Sequence, residues 1–302
     1  MKILRFSDDR IGVLQGENKV VDVSDFISHR VEKGAENVIE EIIGDFTKYQ
    51  SKFAESLDSK AGVPVSDVTL LPPIPRPSKC LAAFSNYIDR PDRKLDQMHL
   101  DFFYKCAELT GPEGTVDLPD IPNVVVYQAE AELAFVMRKT PRNVSEVTAL
   151  DYVFGYVPFF DISARGLTRR TQFVPKGAAT FSPCGPWIAT KDEISDPHNL
   201  TVKSWINGKR AQDFSTKHMA HKIPAQIAWL SKLVELQAGD IIATGTHHEG
   251  LRAINDGDLL EIEIEKIGKA RFNVKGQSPR KDIDFIPGKT PVPQFPGKIT
   301  PV

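Results

Sequence analysis

Glu130 and Glu132 are separated by a single alanine at the start of an apolar segment that runs to Met137. Residues i and i+2 of a β-strand face the same side, so a strand here would hold the two carboxylates close together. Such a pair repels unless a proton or a cation lies between the charges, and Mg²⁺ and Ca²⁺ take oxygen ligands. The pattern therefore indicates a metal site. The alternative is a strand end at which both glutamates are exposed to water.

A third carboxylate, Asp161, lies inside the apolar segment of residues 153–166. An ionised group in such surroundings is costly unless it is paired or coordinated. Three carboxylates would leave coordination positions open for water and substrate, as a catalytic Mg²⁺ requires. The alternative is that Asp161 is a turn or capping residue ahead of Ile162 and Ser163.

The elements that must position these carboxylates are mainly short β-strands. Residues 260–265 alternate strictly between apolar and acidic types, which is the period of a half-buried strand. Helical patterns cover only residues 36–53, 145–154, with Ser145 as N-cap, and 218–234, interrupted early by Pro224. Because strands dominate without alternating regularly with helices, we predict a β-rich α+β fold, a roll or sandwich. Strand patterns occur at residues 3–6, 11–16, 19–24, 79–84, 132–137, 186–190, 200–206, 240–246 and 259–267.

A proline-rich segment divides the chain. Residues 70–79 contain four prolines, which is typical of a stiff linker. We predict a small N-terminal α+β domain at residues 1–72, a linker at 73–79, and a catalytic domain at 80–302. The end of that domain, from about residue 285, is again rich in proline and is expected to be extended.

The composition indicates which classes of partner and which cellular compartment to expect. The 302 residues include 38 basic and 40 acidic side chains, with no basic run, which argues against nucleic-acid binding. No apolar run reaches transmembrane length and the first residues do not resemble a signal peptide, so no membrane partner is expected. Cys80, Cys106 and Cys184 are scattered and odd in number, which favours a reducing cytoplasm without disulfides.

Several segments, taken in order, resemble the fumarylacetoacetate hydrolase family. Their ordered occurrence from about residue 79 to residue 277 is more specific than any one of them. The segments are EAELAFVM (130–137), LDYVFGYVPFFDISAR (150–165), Lys176 with TFSPCGPWIAT (180–190), INGKRAQD (206–213), LQAGDIIATGT (236–246) and LLEIEIEKIGKARFNV (259–274).

The resemblance implies a mixed β-sandwich roll and a homodimer. It implies that Mg²⁺, or alternatively Mn²⁺ or Ca²⁺, binds the three carboxylates already named, and that Lys176 lies beside the substrate. The alternative for Lys176 is a surface salt bridge. The resemblance also places Thr180 near the water shell of the metal, and it implies that Tyr87 and Thr246 contact the substrate.

Two departures from the family pattern concern the reaction itself. In the lid segment FSNYIDRPDRK (84–94), Arg90 and Arg93 stand where the resemblance predicts a histidine and a glutamate that activate water. An arginine cannot accept a proton at neutral pH. Each arginine either pairs a second carboxylate of the substrate or is simply solvated. The second departure follows Thr246, where His247 and His248 replace an expected proline segment.

The missing lid pair leaves the general base open. His247 and His248, next to Glu249, are candidates, as is His99; each could instead be an exposed histidine without a role. We predict hydrolytic cleavage of a C–C bond in a 2-oxo acid or acylpyruvate-like 1,3-diketo acid, through a metal-stabilised enolate. The alternatives are a 2-oxo acid decarboxylase or keto–enol isomerase on the same metal site, and a family member that binds metal and ligand without turnover.

Overall fold

The structure, a computed structural model, describes residues 1–27, 38–167 and 171–279. The predicted extended tail and the first two residues of the predicted helix 36–53 lie outside the described residues. The strands are β1 (Lys2–Phe6), β2 (Arg10–Gln15), β3 (Lys19–Asp22), β4 (Val63–Pro64), β5 (Leu70–Leu71), β6 (Cys80–Ala83), β7 (Phe102–Tyr104), β8 (Thr115–Asp117), β9 (Val126–Met137), β10 (Val153–Arg165), β11 (Ile188–Thr190), β12 (Thr201–Ile206), β13 (Lys209–Ser215), β14 (Ile241–Ala243), β15 (Leu259–Ile264) and β16 (Gly268–Lys275).

Short α-helices connect the strands: α1 (Val38–Gly44), α2 (Gln50–Ser59), α3 (Glu146–Ala149), α4 (Phe173–Lys176) and α5 (Ile223–Leu230). Two helical predictions need correction. The pattern at 145–154 ends early because Val153 and Phe154 already belong to β10. Pro224 does not interrupt a helix but lies in the first turn of α5, where its missing N–H costs nothing. Every helix in the described ranges is too short or too polar to cross a bilayer.

Two mixed sheets form the body of the protein, as the predicted β-rich α+β class requires. The larger has the order β4-β3-β2-β1-β11-β10-β9-β14-β6-β7, with β5 beside β1, and the smaller has the order β13-β12-β15-β16-β8. Parallel pairs, β14 with β6 and β16 with β8, occur among antiparallel neighbours. A large apolar cluster joins the sheets, and Trp187 donates from Nε1 to the carbonyl of Ile267 at 2.6 Å.

The N-terminal strands continue the large sheet. β1 pairs antiparallel with β11, with Lys2 opposite Ala189 and Ile3 opposite Ile188. Ile3 also shares an apolar cluster with Val136 of β9. The unit predicted at residues 1–72 therefore shares a sheet and a core with the strands that follow, and the division into domains stays a prediction.

The long strands β9 and β10 lie in the middle of the large sheet and are buried along their whole length. Leu133 and Phe135 of β9 enter one apolar cluster, and Ala134 and Val136 enter another, which confirms the predicted alternation of faces. At its N-terminal end, the face that carries Ala134 and Val136 becomes polar. The candidate site lies on this polar half of the face.

Candidate metal centre and active site

Register brings the three predicted carboxylates together. Asp161 of β10 stands directly opposite Glu130 of β9, and Glu132 follows two residues further along the same face. One oxygen from each side chain lies within 4.8 Å of the others. The three residues are 4%, 1% and 1% exposed for Glu130, Glu132 and Asp161, so neither a solvated strand end nor a surface turn describes them.

Three buried cations surround these carboxylates. Lys176, at the end of α4, places Nζ 2.9 Å from Glu130 Oε2 and also contacts Asp161 Oδ2. The alternative of a surface salt bridge for Lys176 is therefore excluded. Lys105, just after β7, lies 2.7 Å from Asp161 Oδ1, and Arg165 Nη2 pairs with Glu130 Oε1.

Lys105 was missed by the sequence reasoning. It follows a three-residue edge strand, and no motif marks it as part of a site. Its side chain is fully buried, and Nζ also donates to the carbonyl oxygens of Ile162 at 3.2 Å and Lys176 at 2.6 Å. Arg165 is the last residue of the segment 150–165, which contributes to the family resemblance. Its ion pair with Glu130, however, depends on how β9 and β10 pair.

Glu132 is the carboxylate that the protein itself compensates least. Burial, followed by the charge of Asp161, raises the pKa of Glu132 to about 8, although the Gly245 N–H donates to Oε2 at 2.7 Å. Burial lowers the pKa of Lys176 to about 8, despite the opposing charge of Asp161. A divalent cation would give Glu132 the ion partner that it lacks among the described residues, and three buried carboxylate oxygens are the donors that hard cations take. The residues present therefore fit a divalent metal.

Gly245 shows why the loop after β14 contains glycine. Its φ of +89° lies in the left-handed region, and a Cβ there would lie 3.1 Å from Asn86 Cβ and 3.3 Å from Asn86 N. This conformation aims the Gly245 N–H at Glu132. The glycine of the TGT segment thus places a hydrogen-bond donor on Glu132, one of the three predicted metal ligands.

Thr246 and Gln212 hold the same loop against β9. Thr246 Oγ1 donates to the carbonyl of Ala131 at 2.7 Å, between the two glutamates. Gln212 accepts from the Ala131 N–H at 2.9 Å and donates to Thr246 Oγ1 at 3.0 Å. These side chains fix the positions of the carboxylates. A contact of Thr246 with substrate stays a prediction.

The lid segment is tied to the histidine loop. Asp89 Oδ2 contacts His248 Nδ1, and Arg93 Nη1 donates to Asp89 Oδ1 and to the Tyr87 carbonyl, both at 2.9 Å. Burial alone would raise the pKa of Asp89, but His248 and Arg93 lower it to about 2. Arg93 is therefore engaged within the protein. Arg90 Nε lies 3.9 Å from Asp89 Oδ1, and its role with substrate stays a prediction.

The remaining predicted site residues make other contacts. Tyr87 is fully buried with its ring edge-on to Phe214 at 5.3 Å, and the ring of His247 stacks on the same phenylalanine at 5.9 Å. Burial lowers the pKa of His247. Thr180 Oγ1 accepts from the Asp117 N–H at 2.8 Å, and His99 is exposed. The catalytic or substrate-binding roles of these side chains stay predictions.

Comparison with known proteins finds chains named as enzymes among those that this chain resembles. The maleylpyruvate hydrolase of Sphingobium sp. SYK-6, solved with manganese(II) and pyruvate, is 34% identical with a TM-score of 0.80, covering 92% of this chain and 100% of that one. A 5-carboxymethyl-2-hydroxymuconate delta-isomerase from Mycobacterium smegmatis is 26% identical with a TM-score of 0.69, covering 92% and 100%. The mitochondrial oxaloacetate tautomerase of Xenopus laevis is 34% identical over 216 residues, or 67% of each chain.

The family resemblance inferred from the ordered segments is confirmed over most of the chain. The profile described as fumarylacetoacetate (FAA) hydrolase, C-terminal, matches residues 79–275, a range that holds all the carboxylates and cations of the site. The chain belongs to the fumarylacetoacetate hydrolase family.

Proposed function

We propose that this chain is a divalent-metal-dependent enzyme that hydrolyses a C–C bond in an acylpyruvate-like 1,3-diketo acid or a related 2-oxo acid. The observation that carries the proposal is the burial of Glu130, Glu132 and Asp161 within 4.8 Å of one another, with Lys176 in contact with two of them. Similarity to a maleylpyruvate hydrolase along that enzyme's whole chain supports the hydrolytic class.

The charges of the site favour an anionic ligand. Lys105, Arg165 and Lys176 bring three positive charges to the three carboxylates. Addition of Mg²⁺ or Mn²⁺ would leave an excess of positive charge, which the carboxylate of a 2-oxo acid would offset. The Sphingobium hydrolase was solved with pyruvate, a 2-oxo acid, together with manganese.

Lys176 has a direct part in this chemistry. A cation bound by the three carboxylates would act as a Lewis acid on the 2-oxo-carboxylate and stabilise an enolate. Lys176 Nζ, held in place by Glu130, Asp161 and Ser163, is a preorganised positive charge for the oxygen on which negative charge develops. Tyr87, Arg90, Thr180 and Thr246 remain proposed substrate contacts.

A specific observation favours a second candidate, keto–enol isomerisation or decarboxylation of a 2-oxo acid. Arg90 and Arg93 occupy the lid positions where a water-activating pair was expected, and these reactions need no attacking water. An oxaloacetate tautomerase and a delta-isomerase are among the similar proteins. A homodimer and a cytoplasmic location stay predictions.

A metal-dependent turnover screen tests the proposal. The purified protein is incubated with Mg²⁺ or Mn²⁺, and with EDTA as control, and offered an acylpyruvate, maleylpyruvate and oxaloacetate. We expect two acids from the acylpyruvate or maleylpyruvate. Loss of CO₂ identifies a decarboxylase, and a single isomeric product identifies an isomerase.

Two variants separate a specific effect from general damage. Lys176→Met is expected to lower kcat at least about 100-fold, since it removes a fixed positive charge that stabilises the developing negative charge. Asp240→Asn alters an equally buried carboxylate that contacts Ser78, Lys79 and Gln237 outside the site, and should keep the metal-dependent rate per folded molecule. Metal binding without turnover of any of these substrates would refute the proposal and favour a non-catalytic binder.

A further inference from the structure

The contact between Asp89 and His248 joins two segments that both depart from the family pattern. Asp89 lies in the arginine-containing lid segment, and His248 lies in the loop that follows Thr246. The Asp89 side chain is 4% exposed and is held from its other oxygen by Arg93. The neighbouring backbone is also anchored, because the Ile88 N–H donates to the His218 carbonyl at 2.9 Å. The position of the Asp89 carboxylate is therefore fixed by contacts other than the one with the His248 imidazole.

The carboxylate determines which ring nitrogen of His248 can accept a proton. Nδ1 faces Asp89 and carries the hydrogen of the neutral ring, which leaves Nε2 as an acceptor. Among residues 1–27, 38–167 and 171–279, Nε2 has no hydrogen-bond partner. This arrangement, with a carboxylate behind the imidazole and an acceptor in front, is that of a general base.

His248 belongs to the loop that touches the metal centre. It stands three residues after Gly245, whose N–H binds Glu132, and three residues of chain span at most about 10 Å. The charge of Arg165, which pairs with Glu130, also acts on His248. The imidazole therefore belongs to the loop that binds Glu132, and it lies close enough to Arg165 for the charge of that residue to act on it.

We propose that His248, oriented by Asp89, is the base that activates water in this enzyme, with Arg93 as the residue that positions Asp89. The inference rests on the proposed hydrolytic function. Of the two predicted histidines, the inference gives the role of base to His248 and not to His247. The ring of His247 stacks on Phe214, and its Nδ1 accepts from the Glu249 N–H at 3.3 Å.

The hydrolytic step balances with water as the only co-reactant. Nε2 of His248 takes a proton as the water oxygen bonds to the distal keto carbon, whose C=O electron pair moves to oxygen. Collapse of this adduct breaks the C–C bond and leaves its electron pair on the pyruvate-like fragment as an enolate. The His248 proton then passes to the enolate carbon, so that two acids leave and the imidazole is neutral again.

The test compares His248→Gln, Asp89→Asn and the matched control Asp92→Asn in the full chain loaded with Mn²⁺. Asp92 lies in the same segment but is exposed. We expect His248→Gln to lower kcat about 10²–10⁴-fold with a small change in KM, and to remove the acid limb of the kcat/KM profile. Metal-induced thermal stabilisation should persist in every variant, which shows that the fold and the metal site are intact.

Asp89→Asn supplies a readout that a purely structural contact would not change. Burial lowers the pKa of His248, the charges of Arg165 and Arg93 lower it as well, and Asp89 raises it; the neighbouring His247 also interacts with His248. Neutralisation of Asp89 should move the acid limb to lower pH as well as lowering kcat, whereas Asp92→Asn should leave both unchanged.

Three results would overturn the inference. One is a kcat for His248→Gln within about threefold of wild type, against the 10²-fold minimum expected of a general base. Another is an Asp89→Asn variant that loses activity while the acid limb of its kcat/KM profile stays at the wild-type pH. The third is wild-type turnover limited to tautomerisation or loss of CO₂. By contrast, wild-type inactivity on every substrate would defeat the proposed function itself.

Discussion

Replacement of Glu132 by glutamine tests the metal site without breaking an ion pair. Glu130 and Asp161 hold Lys176, Arg165 and Lys105, so their neutralisation would leave buried cations unpaired. Glu132 contacts the Gly245 N–H, which a glutamine oxygen can equally accept. We therefore expect Glu132→Gln to lose metal binding while keeping the stability of the metal-free fold.

The size of the effect follows from linkage. Metal at about 100 times its Kd stabilises a protein by about 2.7 kcal/mol, which for a chain of this length raises Tm by about 5 °C. Loss of one of three carboxylate ligands should weaken binding at least about 100-fold, and the same metal concentration then contributes only about 0.4 kcal/mol. The metal-induced rise in Tm expected for Glu132→Gln is therefore below about 1 °C.

Thermal unfolding with and without Mn²⁺ measures the metal-free Tm and the metal-induced shift in Tm in one assay. Isothermal titration calorimetry gives the Kd for the metal directly. Asp240→Asn is the matched control, because its carboxylate is as buried as that of Glu132 but accepts three hydrogen bonds outside the site. It should lower the metal-free Tm and keep the metal-induced shift. The reasoning is refuted if Glu132→Gln keeps a shift of wild-type size, or if its metal-free Tm falls as far as that of Asp240→Asn.

Three further outcomes are expected. Asp89→Asn should lower the free energy of unfolding by about 1–2 kcal/mol near neutral pH. Because the folded pKa of Asp89 lies at about 2, below its unfolded value, that difference should shrink as pH falls from about 4 to 2 in urea titrations. Gly245→Ala should weaken metal binding in calorimetry, since φ +89° and the approach to Asn86 oppose a side chain. Trp187→Phe should cost about 1–2 kcal/mol in urea unfolding through loss of the bond to Ile267, with Kd for metal unchanged.

The carboxylates were predictable because charged side chains stand at positions where the strand pattern indicates burial. Glu130 and Glu132 stand in a strand whose other residues, Gln128 apart, are apolar or aromatic, and Asp161 directly follows two phenylalanines in β10. A buried charge in such a strand needs a partner, so the pattern itself indicated a metal or a counter-charge. That Asp161 faces Glu130 is a matter of register, which local periodicity does not determine.

The counter-charges could not be predicted in the same way. Lys105 has no motif around it, and its contact with Asp161 depends on the course of the chain after the edge strand β7. Similarly, residues 145–154 have helical periodicity, but β9 offers a partner for Val153, and pairing with Met137 ends the helix early. In both cases a contact distant in sequence decides the outcome.

The arginines of the lid illustrate how such contacts change an interpretation. In sequence, Arg90 and Arg93 indicated that a water-activating pair had been lost. In the fold, Arg93 binds Asp89, and Asp89 binds a histidine 159 residues away in the chain. A glutamate at position 93, as the resemblance predicts, would lose the two bonds that the guanidinium donates to Asp89 and the Tyr87 carbonyl, and it would place a like charge beside Asp89. The departures in the lid and after Thr246 are therefore parts of one physical arrangement, in which the arginine that removes a base from the lid also positions the carboxylate that orients another.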